Sequence, residues 1–111
     1  MGTTKTSLFT EEQNELAQLA KALGHTARIA ILQHLLRAKA CINSDLVQET
    51  GLAQATVSQH LRELKDVGLI KGSIEGSAMN YCIHSENWNT AAQRLSELFN
   101  FIDTNSSNNC C

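Results

Sequence analysis

Only three residues, Gly51, Leu52 and Ala53, separate two stretches with helical apolar spacing, and this short break constrains the fold more than any other feature. The second stretch runs from about Gln54 to Val67 before Gly68 stops it. At about 100° per residue, Val57, Leu61 and Leu64 fall within one narrow arc. The opposite side carries Ala55, Thr56, Gln59, Arg62 and Asp66, with Ser58 and Glu63 on the flanks. A helix that buries one thin stripe and presents a small, hydrogen-bonding N-terminal half suits the major groove of a duplex. There Gln bonds adenine, Ser and Thr bond either partner, and Arg bonds guanine. The same composition suits an ordinary solvated helix, and the surrounding elements decide between the two.

Those elements follow from spacing. Thr10 and Gln13 form a capping-box pattern, after which Leu16, Leu19, Ala20 and Leu23 repeat at helical spacing until Gly24. A second helix starts near His25 or Thr26, turns Ile29, Leu32, Leu35 and Leu36 inward and stops near Lys39. Ile31 and Ala30 widen its apolar arc enough to make it the most buried element. Asn43 or Ser44 caps a short third helix with Asp45 in its first turn, and Gly51 ends it. After the helix at Gln54 come Leu69 to Glu75 and Asn80 to His84, a β-hairpin around Gly76, Ser77 and Ala78. Ser85 caps a last helix, and Trp88, Ala91, Ala92, Leu95, Leu98, Phe99 and Ile102 keep helical spacing for about four turns. Asn105 to Asn109 reads as a polar, disordered tail.

The expected architecture is mainly α with a small β-hairpin, a winged helix-turn-helix in the order α-α-α-α-β-β-α, and dimeric. Residues 1–9 form a flexible lead, 10–103 the winged helix domain, and 104–111 a disordered tail ending in cysteines. A chain of 111 residues leaves no room for a second domain. Its thin core cannot cover both terminal helices, so Leu16, Leu19 and Leu23 with Leu95, Leu98, Phe99 and Ile102 are expected at a two-fold interface. Two-fold symmetry places the two reading helices about 34 Å apart and calls for a palindromic site.

Net charge of −2 gives no support for a polyanionic partner, but the distribution does. Between Lys21 and Gly72, Lys21, Arg28, Arg37, Lys39, Arg62, Lys65 and Lys71 outweigh Asp45, Glu49, Glu63 and Asp66, whereas the flanks are acidic. The candidate contacts are Gln54, Ala55, Thr56, Ser58, Gln59, His60 and Arg62, with Lys65 and Lys71 placed to neutralise phosphates. His60 lies about 60° from the apolar centre, and its plainer role is a half-buried ring bonded to a neighbouring backbone group. The segment from Glu75 to Asn80 has no basic residue, so its phosphate contribution is modest.

No stretch approaches a membrane span, and Met1 to Thr6 lacks an apolar h-region, so the chain reads as soluble and cytoplasmic. Cys41, Cys82, Cys110 and Cys111 then read as thiols. Adjacent Cys110 and Cys111 share a soft ion more readily than they bridge each other.

The chain resembles the ArsR/SmtB family of small bacterial winged-helix repressors. The resemblance covers roughly Leu16 to His84 and rests on four segments. They are Ala22-Leu23-Gly24-His25-Thr26-Ala27-Arg28-Ile29-Ala30-Ile31-Leu32, Ser44-Asp45-Leu46-Val47, the run from Leu52 to Leu64 containing Val57-Ser58-Gln59-His60-Leu61, and Gly68-Leu69-Ile70. It implies a homodimeric repressor of a double-stranded DNA operator, requiring no cofactor and letting go when an inducer binds. Thr26 stands where the family often has proline, and Ala53 where it often has a capping serine. Only half of the family's Cys-x-Cys pair is present, at Cys41-Ile42-Asn43. The last helix has no histidine for the family's second, zinc-type site.

Cys110 and Cys111 with Cys41 offer a replacement thiolate set for arsenic(III) or another soft ion. The tail thiols can instead oxidise against Cys41 as a thiol or sulfide switch, or the cysteines can be inert, and these alternatives stay open. A winged-helix protein-interaction module is the competing function; it would show no salt-dependent affinity for duplex. An enzyme is not expected: there is no Cys-x-x-Cys, no phosphate-binding glycine loop and no carboxylate pair in an apolar context.

Overall fold

The computed structural model describes residues 6–38, 46–73 and 80–102. A 3-10 turn, Thr6–Leu8, precedes α1 (Glu11–Leu23). Then follow α2 (Thr26–Ala38), α3 (Leu46–Thr50), α4 (Gln54–Asp66), β1 (Ile70–Ser73), β2 (Asn80–Ile83) and α5 (Ser85–Phe99). This is the expected element order, mostly helical with one antiparallel hairpin. The residues assigned to capping α3 (Asn43, Ser44 and Asp45), to the hairpin turn and to the tail lie outside the described residues.

Each boundary has a local cause. Thr10 Oγ1 accepts from Gln13 N at 3.0 Å and Gln13 Oε1 accepts from Thr10 N at 2.9 Å, closing the capping box that starts α1. Gly51 ends α3 at φ +74°, in the left-handed region that glycine enters without a Cβ penalty, and its N–H bonds Val47 O at 2.8 Å. Ala53 enters α4 with extended backbone but makes no side-chain cap bond. The strands pair Ile70 with Ile83, Lys71 with Cys82, Gly72 with Tyr81 and Ser73 with Asn80. Gly72 has φ +121°, and a Cβ there would lie 2.0 Å from Asn80 O, so this close crossing of two backbones requires glycine.

The core gathers Leu19 and Ala22 of α1, Ile31, Leu32 and Leu35 of α2, Leu46 of α3, Val57, Leu61 and Leu64 of α4, and Leu69, Ile70 and Tyr81. Two expectations for α2 are corrected. Ile29 and Leu36 face outward at 38% and 40% exposure, and Ile31 is buried in their place. The helix is apolar around most of its circumference, so spacing alone does not select a face. The selection comes from α1, α3, α4 and β2, which pack around it. Nor is α2 the most buried element: α4 buries Val57, His60, Leu61 and Leu64, one residue more.

The last helix differs as well. Its N-cap is His84, whose Nδ1 accepts from Asn87 N at 3.2 Å, and Ser85 is already helical. Asn100 closes the helix, which leaves Ile102 beyond it. Trp88, Ala91 and Leu95 lean on the core, whereas no residue of α5 is fully buried.

Candidate nucleic-acid interface

The inner face of α4 is seated by Val57, Leu61 and Leu64, each at most 1% exposed, and this seating determines what the outer face presents. Gln54, Ala55, Thr56, Gln59 and Arg62 are exposed and Ser58 is half-buried. Gln54 Nε2 donates to Ser58 Oγ at 3.3 Å, a bond along one helix face. Lys65 and Lys71 are exposed, and Lys65 Nζ donates to Gly72 O at 2.7 Å, tying the end of α4 to the hairpin. The same end is fixed by main-chain bonds: Leu69 N to Leu64 O at 3.1 Å, and His84 N to Leu69 O at 2.9 Å. Asn87 of α5 adds a side-chain bond to Gly68 O at 3.0 Å.

His60 stands apart from the other candidate contacts. At 7% exposure it is on the inner side of α4, whereas Gln59 and Arg62 are exposed. Its partner is not a nearby backbone group but the side chain of Arg28 in α2, whose Nε donates to His60 Nδ1 at 3.1 Å. Arg28 also ion-pairs with Glu63 and donates to the carbonyl oxygens of Lys21 and Ala22. Spacing within one helix carries no signal for this network, because its members are 32 and 35 residues apart. Burial, followed by the nearby His25 and Arg28, lowers the His60 pKa; Glu63 opposes this.

Of the residues expected at a two-fold interface, Leu19 belongs to the subunit's own core, and Leu16, Leu23 and Leu95 are partly buried against that core. Only Leu98, Phe99 and Ile102 are left open, at 56%, 75% and 63% exposure. They are joined in exposure by Leu8, Phe9 and Phe101, which the periodicity did not single out. Glu15 and Arg94 pair across α1 and α5 at 2.8 Å. Cys41, Cys110 and Cys111 lie outside the described residues. Among the described residues no three His, Cys, Asp or Glu side chains come together as ion ligands.

Residues 25–71, which span α2 to the start of the hairpin, match the family described as bacterial regulatory protein, arsR family. The chain is 31% identical over 85 residues to the HTH-type transcriptional regulator YgaV of Escherichia coli, an alignment that covers 77% of this chain and 86% of that protein. The chain belongs to the ArsR family. A second relative is the HTH-type transcriptional regulator CmtR of Mycobacterium tuberculosis, 30% identical over 92 residues and covering 83% of this chain and 77% of that one. The solved structure of an ArsR family transcriptional regulator, RHA00566, superposes with a TM-score of 0.70 at 20% identity, covering 88% of this chain and all of that one. That likeness fixes the fold. ArsR proteins are DNA-binding transcriptional regulators and not enzymes, and α3, the Gly51 turn and α4 are the helix-turn-helix of this one. Among the described residues no helix is long and apolar enough to cross a membrane.

Proposed function

We propose that the protein is a repressor that binds a palindromic operator as a homodimer and reads it with the outer face of α4. The observation that carries this reading is the division of α4 into a tightly seated apolar stripe and an exposed face of small polar residues. Gln54, Thr56, Ser58, Gln59 and Arg62 meet base edges or nearby phosphates, Ala55 permits close approach, and Lys65 and Lys71 neutralise phosphates. His60 is left out of this set because it is buried. A second copy covers Leu98, Phe99 and Ile102, and two-fold symmetry spaces the reading helices by about 34 Å.

Release is assigned to a thiophilic metalloid such as arsenite, held by Cys41, Cys110 and Cys111. Three thiols are the donor set that a soft trivalent centre takes. Binding there shifts the dimer away from the spacing the operator needs, which takes about 1–3 kcal/mol of coupling. The test is a titration of a palindromic promoter duplex with and without arsenite, and with oxidant, for the full chain and for a chain truncated before Cys110. Binding that weakens steeply with added salt supports the DNA reading. Loss with arsenite in the full chain but not in the truncated one supports the inducer. Loss with oxidant alone replaces the metalloid by a redox signal, and indifference to both leaves a constitutive regulator.

A further inference from the structure

Three elements meet at Arg28. Its Nη1 reaches the carbonyl oxygens of Lys21 and Ala22 at the end of α1, at 3.4 and 3.3 Å. Its Nη2 is paired with Glu63 and its Nε donates to His60 Nδ1, so one guanidinium grips α4 at two positions one turn apart. A guanidinium only donates, so this bond requires a lone pair on Nδ1 and hence a neutral His60. His25, immediately before α2, lies over the ring with centroids 4.4 Å apart and planes tilted by 58°. Its own Nδ1 accepts from Ala27 N at 3.1 Å. On α4 the buried His60 follows Gln59 on the inner side, and Glu63 follows Arg62 on the flank.

We propose that Arg28 is the positioning residue of the recognition helix and that protonation of His60 releases its grip, so that operator affinity falls as the medium acidifies. The inference rests on the reading that α4 carries the operator contacts. A proton on Nδ1 sets one donor against another and one cation against another. The charged and titratable groups acting on the ring are His25 and Arg28 from the α2 side and Glu63 from α4; Glu63 is already engaged by Arg28. Burial, His25 and Arg28 together outweigh it and hold the folded-state pKa below the ordinary histidine value of 6.5. The unfolded chain therefore takes up the proton first. The stabilisation is complete above pH 6.5 and is lost progressively as pH falls from there through the lower folded-state value.

The direction of the effect is diagnostic. Acidification makes any histidine-containing chain more positive, and unspecific attraction to phosphate then strengthens. Binding of a palindromic promoter duplex at constant salt is to be measured from pH 7.5 to 5.5 for wild type, His60→Asn and Arg28→Lys. Wild type is expected to lose affinity progressively across this range, as His60, held below its ordinary value while gripped, takes up its proton. His60→Asn places an amide oxygen where Nδ1 stands, still accepts from Arg28 and takes up no proton. It is expected to match wild type at pH 7.5 and not to weaken below it. Arg28→Lys lacks the fork and is expected to bind more weakly at every pH, with no fall on acidification.

Wild-type affinity that is flat or rises with acid, or a His60→Asn chain that weakens as wild type does, overturns the proposal. An NMR titration of the free wild-type protein decides it independently of DNA and of the variants. The amides of Gln59 and Arg62 should shift with the His60 midpoint, and amides that stay fixed through it overturn the grip. Should no palindromic duplex bind at pH 7.5, the operator reading fails, while the NMR titration still decides whether the grip releases.

Discussion

Helices α4 and α5 are close in length and both amphipathic, yet α4 buries four residues and α5 buries none completely. The stripe of α4 is covered from within the subunit by α2, α3 and β1. That of α5 is covered only where Trp88, Ala91 and Leu95 meet the core, and it runs on uncovered through Leu98 and Phe99. An amphipathic pattern thus says that a face is to be covered and leaves open by what. In α4 the covering completes the fold and aims the opposite face outward. In α5 part of the stripe stays uncovered within the subunit, where the proposed second copy would lie.

The same leucine-to-alanine change breaks this contrast if it has the same effect in both helices. Leu61→Ala, at a fully enclosed position, is expected to cost about 2–5 kcal/mol in urea denaturation. At low protein concentration Leu98→Ala should leave the denaturation midpoint nearly unchanged, and sedimentation should show its effect as weaker self-association. Gly72→Ala is next in size. It combines a φ of +121° with a collision against Asn80 O, so about 3 kcal/mol should be lost, with hairpin amides exchanging before those of α4.

Gln59→Ala and Arg62→Ala are expected to weaken operator binding by about 1–3 kcal/mol each without moving the unfolding midpoint, as exposed readers rather than core residues. The smallest effect is a gain. Ala53→Ser supplies the cap that α4 lacks and should raise stability by about 1 kcal/mol in the same urea experiment.

The stripe of α4, the Thr10 box and the glycine that ends α3 were legible because each is written in residues a few positions apart. The face of α2 was not legible, since Ile29, Ile31 and Leu36 are equally apolar and the choice among them belongs to neighbours distant in sequence. The His84 cap was missed because a ring nitrogen substitutes there for the hydroxyl of the adjacent serine. At the interface the polar face of α4 could be read directly. The environment of His60 could not, because Arg28 reaches it from 32 residues away and turns an ambiguous flank position into an inner one. The assignments to Cys41, Cys110 and Cys111 lie outside the described residues and await the duplex titration.

His25, His60 and His84 each accept at Nδ1 from a group that can only donate: Ala27 N, Arg28 Nε and Asn87 N. In each neutral ring the hydrogen therefore resides on Nε2. Such a tautomer offers no lone pair to an incoming cation unless it becomes an imidazolate or gives up its helix bond. Each of these three rings would have to give up that bond before it could bind zinc or nickel through Nδ1.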